Sequence, residues 1–192
     1  MPGFRSLIRT TLVFILFAHA LPACDMYGDG DGEVKGLVCL GDDATECKNY
    51  DMEPGFFSLT RADKKALIEI RDFEGDEQET DHLIFEVTDH AALRSWLNQT
   101  LHLSSQGLVR PQIHLVESFG FDHQPVDVDE NDSDSVITFE RYGSENGDRV
   151  KAQFSLELIG RLDGRWRGRL SGWFSFKVRS SRHENGQEIG NW

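Results

Sequence analysis

The fold is decided by the stretch Val150-Lys-Ala-Gln-Phe-Ser-Leu-Glu-Leu158, in which apolar and polar residues alternate. A period of two places the apolar residues on one face of a β-strand and the polar residues on the other. This pattern is typical of an antiparallel sheet with one buried and one wetted face. The preceding segment, Val136–Tyr142, is also strand-like, and the connecting Gly143-Ser-Glu-Asn-Gly147 carries hairpin-turn residues.

A third strand follows the turn Leu162-Asp-Gly164. Its predicted inward residues are Trp166, Leu170, Phe174, Phe176 and Val178, and its predicted outward residues are Arg165, Arg167, Arg169, Ser171, Ser175, Lys177 and Arg179. Gly168 and Gly172 fall on the apolar side, where we expect a bulge or a bend.

Shorter strands are predicted upstream, at residues 55–60, 66–71, 82–88 and 112–117. One helix is predicted at 90–99, capped by Thr88 or Asp89, with its apolar face formed by Leu93, Trp96 and Leu97. Several strands with little helix predict a mainly β fold with one short helix. The favoured architecture is an antiparallel β-sandwich, and a partly closed β-barrel is the alternative.

The N-terminus has the features of an export signal. Arg5 and Arg9 precede an apolar run at residues 11–18, and Leu21-Pro-Ala-Cys24 resembles the lipobox of bacterial lipoproteins. The apolar run is too short to span a hydrocarbon core of roughly 30 Å. The resemblance implies that residues 1–23 are a cleaved signal peptide and that a lipid on Cys24 anchors the protein to a membrane leaflet of the bacterial cell envelope, on the periplasmic or surface side. The alternative is cleavage after Ala18-His-Ala20, which releases a soluble protein.

The cysteine count favours lipidation over simple secretion. The chain has three cysteines, and lipid on Cys24 would leave Cys39 and Cys47 as an even pair in an oxidising compartment. Seven mostly polar residues separate that pair, so a hairpin-like turn could bring the two side chains together. A metal or redox pair would need Cys-x-x-Cys spacing or a nearby histidine. We therefore predict a structural disulfide.

Composition divides the mature chain into three parts. Residues 24–34 are rich in glycine and aspartate and are predicted to be a lipidated flexible tether, 35–179 the β-sandwich domain, and 180–192 a polar tail. Loss of Arg5 and Arg9 with the signal peptide changes the net charge from −13 to −15. Such an acidic protein is not expected to bind nucleic acid or anionic lipid headgroups. The expected partners are the membrane, through the lipid, and an envelope protein or a glycan.

One acidic stretch resembles a calcium-binding loop. Oxygen ligands at Asp129, Asn131 and Ser133 would be completed by Glu140 at position twelve. Position six is Asp134, where the loop needs glycine, and Glu140 falls on a predicted strand. The favoured interpretation is a solvated loop that enters the strand, so no cofactor is expected. Calcium is the one candidate.

Trp173 falls among the outward residues of the last strand. With Arg169 and Lys177 it forms a possible ligand surface, because an exposed tryptophan can stack on a sugar ring or on a side chain of a partner. The alternatives are that the helix, a loop or the tail covers Trp173, and that the outward arginines bind the acidic loop at 127–134.

The sequence supports three classes of function. It contains no Gly-x-Ser-x-Gly motif and no His-x-x-x-His pair, and its many carboxylates make any single pair uninformative. The leading prediction is a membrane-anchored, non-catalytic binding or structural β-domain. The alternatives are a carbohydrate- or calcium-dependent binding module and a carboxylate-based envelope hydrolase.

Overall fold

A computed structural model of the chain describes residues 29–40, 46–73, 80–115, 126–128, 134–160 and 166–179. These residues contain eleven strands, one short helix and a 3-10 turn at Arg94–Trp96. The helix, α1, covers His90–Leu93. The strands are β1 Gly30–Leu40, β2 Glu46–Met52, β3 Phe56–Ala62, β4 Lys65–Arg71, β5 His82–Val87, β6 Thr100–His102, β7 Val109–His114, β8 Val126–Val128, β9 Val136–Tyr142, β10 Arg149–Gly160 and β11 Trp166–Lys177. Among these residues no helix is long and apolar enough to cross a bilayer.

The strands form two antiparallel layers that share the long strand β10. Residues Val150–Ser155 of β10 pair with β9, whereas Leu158–Gly160 pair with β8. Layer A has the order β2-β1-β11-β10-β9-β6, and layer B continues from the other end of β10 in the order β8-β7-β5-β4-β3. Within the described residues the end strands β2 and β3 are not paired with each other. The predicted mainly β fold, an antiparallel sandwich, is therefore confirmed. The described strands do not close into a barrel, which was the alternative.

Aromatic side chains join the two layers. Phe85 of β5 has its ring centroid 5.2 Å from that of Phe154 on β10 and 5.8 Å from that of Phe174 on β11. At one end of the sandwich, Phe57 of β3 stacks on Phe176 at 5.6 Å. The predicted alternation is confirmed, since every other residue of β10 is buried: Val150, Ala152, Phe154, Leu156 and Leu158.

The glycines of β11 do not mark a bulge. Strand β11 keeps a continuous register with both β1 and β10, and the irregularity lies instead between Lys151 and Ala152, opposite β9. A Cβ atom added at Gly172 would lie 2.3 Å from the carbonyl oxygen of Glu33. Gly172 is needed because β1 approaches it closely. Since the register of β11 is continuous, the predicted bulge in this strand is wrong.

The domain begins earlier than the composition suggests. Gly30 to Val34, assigned above to the tether, belong to β1 and pair with β11. Glycine fits this strand because a Cβ atom at Gly30 would lie 2.5 Å from the ring of Phe57. The prediction of a tether up to residue 34 is therefore wrong for its last five residues, whereas residues 24–28 and the tail from 180 lie outside the described residues.

The helix is shorter than predicted. Asp89 caps it as expected, since its Oδ1 accepts hydrogen bonds from the backbone N–H groups of Ala91 (3.0 Å) and Ala92 (2.9 Å). Regular helical structure ends at Trp96, and Asn98 adopts the left-handed conformation (φ 61°) just before β6. Leu93 is buried, but Trp96 is 42% exposed and therefore does not lie on the same buried face as Leu93.

The predicted disulfide is confirmed. Cys39 of β1 and Cys47 of β2 are directly opposite each other in the register and are bonded. The bridge closes the β1–β2 hairpin at the edge of layer A, where β2 is the last strand.

Candidate functional site

Trp173 lies on the outer face of layer A. Its chain neighbour Phe174 is buried in the core, so the alternation of β11 directs Trp173 outward, where it is 37% exposed. Its position is central, because Glu33 of β1 and Gln153 of β10 are its cross-strand neighbours on either side. The predicted outward position of Trp173 is confirmed, whereas the covered state that the sequence favoured for it is not found in the described part of the chain. Its immediate neighbours, Glu33 and Gln153, were not among the predicted site residues.

Hydroxyl and amide side chains surround Trp173. Beyond Gln153 the same row continues through Thr138 and Thr100, whose hydroxyl oxygens are 3.3 Å apart. The next row carries Ser171 and Ser155 on adjacent strands. Together they line a shallow, open depression of about 790 Å³ whose walls are Glu33, Lys35, Thr100, Val136, Thr138, Glu140, Lys151, Gln153, Phe154, Ser155, Ser171, Gly172 and Trp173.

The charges of this depression are paired with each other. Lys35 forms an ion pair with Glu33, and hydrogen bonding to Glu33 and the charge of Asp51 raise the pKa of Lys35 above its ordinary value. On the other side of Trp173, the Nζ of Lys151 lies 2.6 Å from an oxygen of Glu140. Two cations thus face two anions, and the surface around Trp173 is polar with no net charge.

Arg169 and Lys177 are not the immediate neighbours of Trp173. Each is four residues away along β11, which corresponds to about 13 Å in a strand. Arg169 forms ion pairs with Glu157 and, at 3.5 Å, with Asp134. One outward arginine therefore binds the end of the acidic loop, as the alternative prediction proposed.

The suggested calcium ligands are only partly described. Asp129, Asn131 and Ser133 lie outside the described residues, as does the lipidation candidate Cys24. Glu140 is described, and its carboxylate is bound by Lys151. No three His, Cys, Asp or Glu side chains in the described ranges are grouped so that they could hold a metal ion.

A second polar cluster lies on layer B and was not predicted. His82 of β5 and His114 of β7 are cross-strand neighbours whose rings stack with centroids 4.3 Å apart. Burial, and then the neighbouring His82, lower the pKa of His114 to about 4. Beside them, the Nε of Arg71 donates a 2.5 Å hydrogen bond to Glu69, and its guanidinium lies over the ring of Phe56. These two histidines are scattered in the sequence, and they become neighbours only through the pairing of β5 with β7.

Two carboxylates near this cluster bear on the hydrolase prediction. Burial, and then the charge of Asp81, raise the pKa of Asp72 above its ordinary value. A raised pKa is a property of a general acid. Asp81 is buried, however, and neither residue lines the depression beside Trp173. The hydrolase class therefore stays a prediction that the depression does not favour.

The two clusters differ in access. The Trp173 depression is open, whereas His82 is buried and His114 half-buried. The candidate ligand surface is therefore the outer face of layer A around Trp173. Comparison with known proteins does not identify this surface, since no protein family, no curated protein and no solved structure matches the chain.

Proposed function

We propose that this chain is a lipid-anchored protein of the bacterial cell envelope, and that its β-sandwich is a non-catalytic module that binds a saccharide on the Trp173 face. The observation that carries the proposal is an exposed tryptophan in the middle of a polar, charge-balanced sheet face. A sugar ring has an apolar C–H face, which stacks on indole, and a rim of hydroxyls, which needs hydrogen-bonding partners.

The neighbours of Trp173 supply those partners. Gln153 and Ser155 of β10 offer an amide and a hydroxyl, and Ser171 of β11 offers a second hydroxyl, so donors and acceptors lie beside the indole. Because Glu33 and Glu140 are each bound to a lysine, the face suits an uncharged saccharide better than a charged one. An open and nearly flat surface also suits a polymer, whose exposed length can extend beyond the site.

The test compares Trp173→Ala with Trp96→Ala. Both tryptophans are similarly exposed, at 37% and 42%, but Trp96 lies in the 3-10 turn after α1. The mature domain is incubated with insoluble peptidoglycan, chitin and β-glucan, and the bound fraction is measured after centrifugation. We expect binding to at least one polymer, weakened at least tenfold by Trp173→Ala and unchanged by Trp96→Ala. Absence of binding, or an equal loss in both variants, would reject the saccharide proposal.

The proposal of a lipid anchor is supported by the number of cysteines. Cys39 and Cys47 are bonded to each other, so lipidation of Cys24 accounts for all three cysteines. We expect the full chain, expressed in a bacterium, to sediment with membranes and to carry a lipid-modified Cys24 in mass spectra. The Cys24→Ser variant should lose that modification. An unmodified N-terminus at Leu21 would contradict the anchor and would leave the saccharide proposal standing.

A further inference from the structure

Two arginines from different elements converge on one serine at an end of the sandwich. The Nη1 of Arg61, on β3, donates a hydrogen bond to the carbonyl oxygen of Ser144 at 3.3 Å. The Nη2 of Arg94, in the 3-10 turn, donates to the hydroxyl oxygen of the same Ser144 at 3.3 Å. Ser144 is buried and lies between β9 and β10.

Among the described residues the hydrogen bonds of both arginines go to Ser144 and neither forms an ion pair with a carboxylate, although the chain has a net charge of −13. Two acids that are close to these elements in the sequence have other partners: Asp89 caps α1, and Asp148 accepts a hydrogen bond from the backbone N–H of Glu145. The two guanidinium groups thus meet at one neutral serine. Guanidinium groups in such an arrangement are suited to bind an oxyanion, because each presents several N–H donors in a fixed plane.

A buried hydroxyl near the two arginines has no hydrogen-bond partner in the part of the chain that the structure describes. Tyr142 is 6% exposed, and its Oη makes no hydrogen bond within the described part of the chain. Burial raises the pKa of Tyr142 to about 12, and the charges of Arg61 and Arg94 oppose this rise. The phenol is therefore a neutral donor at physiological pH. Buried hydroxyls are normally hydrogen-bonded, so an orphaned one next to two cations indicates a missing acceptor.

We propose that Arg61, Arg94, Ser144 and Tyr142 form a binding site for one doubly charged oxyanion, the phosphate group of a small molecule or of a headgroup. Two guanidinium charges with no carboxylate partner in the described ranges match a dianion better than a monoanion. The hydroxyls of Ser144 and Tyr142 donate to the same group. The site is independent of the Trp173 face, because Tyr142 is buried on the core side of β9 whereas Thr138 of that strand lines the depression.

The first test is thermal unfolding of the mature domain in inorganic phosphate, with ionic strength held constant by sodium chloride. At 20 mM phosphate and a Kd of about 1 mM, the melting temperature should rise by about 4–7 °C. Acetate, a monoanion, should give a smaller shift. The variant R61Q/R94Q should lose the phosphate shift. The control R141Q/R149Q, which removes two other exposed arginines, should keep it.

Three results would overturn the proposal: no phosphate shift in the wild-type domain, an equal shift in R61Q/R94Q, or an equal loss in the control. Tyr142→Phe provides a second, gentler variant because it removes only the orphaned hydroxyl. It should fold without phosphate and show a reduced phosphate shift. To separate a free phosphate from a headgroup, vesicles with and without phosphatidic acid are sedimented with the unlipidated domain. Phosphate-sensitive binding to phosphatidic acid indicates a headgroup, and a thermal shift alone indicates a soluble phosphate.

Discussion

At the scale of single residues, glycine has a packing role in β1. A Cβ atom at Gly36 would lie 2.0 Å from the carbonyl oxygen of Arg169 and 2.7 Å from a methyl group of Leu170. Contacts this short with backbone atoms can be relieved only if β1 and β11 move apart. Those two strands pair over the whole length of β1, so the displacement would affect the centre of layer A.

Gly36→Ala should therefore be strongly destabilising. We expect the free energy of unfolding to fall by about 3 kcal/mol or more, as for a severe overpacking substitution. The measurement is urea denaturation, and the matched control is Lys35→Ala, whose side chain is exposed on the opposite face of β1. If Gly36→Ala is no less stable than Lys35→Ala, β1 does not approach β11 as closely as described.

His114 makes the stability of the protein depend on pH. Burial and the neighbouring His82 lower its pKa from 6.5 to about 4. The unfolded state therefore binds more protons than the folded state between these values. The stabilisation is complete above pH 6.5 and is lost as the pH falls towards 4, by roughly 2–3 kcal/mol.

Substitution of His114 tests this dependence. Urea denaturation from pH 7 to pH 4 should show a shallower loss of stability in His114→Gln than in the wild-type protein. His102→Gln, at an exposed position on β6, is the control and should follow the wild-type profile. Parallel profiles for His114→Gln and the wild-type protein would show that His114 titrates normally in the folded state.

At the scale of elements, the disulfide secures the edge hairpin of layer A. Cys39 and Cys47 lie eight residues apart, and β2 has β1 as its one paired neighbour among the described strands. A bridge across so short a loop restricts the unfolded chain and is expected to contribute roughly 2–3 kcal/mol. Removing it should free β2 more than the rest of the layer.

We therefore expect the variant C39A/C47A to unfold at lower urea concentration than the wild-type protein. Hydrogen exchange should rise first in β2. Treatment of the wild-type protein with a reductant and an alkylating agent should reproduce the loss without a substitution. An unchanged midpoint in both experiments would mean that the strand pairing alone holds the hairpin.

The elements that the sequence predicts most clearly are those with a long period-two pattern. β10 and β11 are such strands, since each has at least four alternating apolar positions. β1 was not predicted, because glycines at inward positions such as Gly32 and Gly36 interrupt the apolar alternation. β6 and β8 escaped because three residues are too few to show a period.

At the scale of the whole molecule, the site depends on register, which a single sequence does not reveal. Trp173 could be placed on an outer face from the alternation of β11 alone. Its neighbours Glu33 and Gln153 come from β1 and β10, and the pair His82 and His114 comes from β5 and β7. The order of strands across the sheet decides these contacts, and it is set by packing between residues distant in the chain.

The two layers should unfold as one unit because aromatic contacts connect them. Phe85 of layer B is fully buried and contacts Phe154 and Phe174 of layer A, so Phe85→Ala should cost about 3–5 kcal/mol. Phe73→Ala, at a site that is 46% exposed, is the control and should change stability by less than about 0.5 kcal/mol. Tryptophan fluorescence and far-ultraviolet circular dichroism should report the same shifted midpoint in Phe85→Ala. Separate midpoints would show that layer A stays folded after layer B has opened, which the contacts of Phe85 with both β10 and β11 argue against.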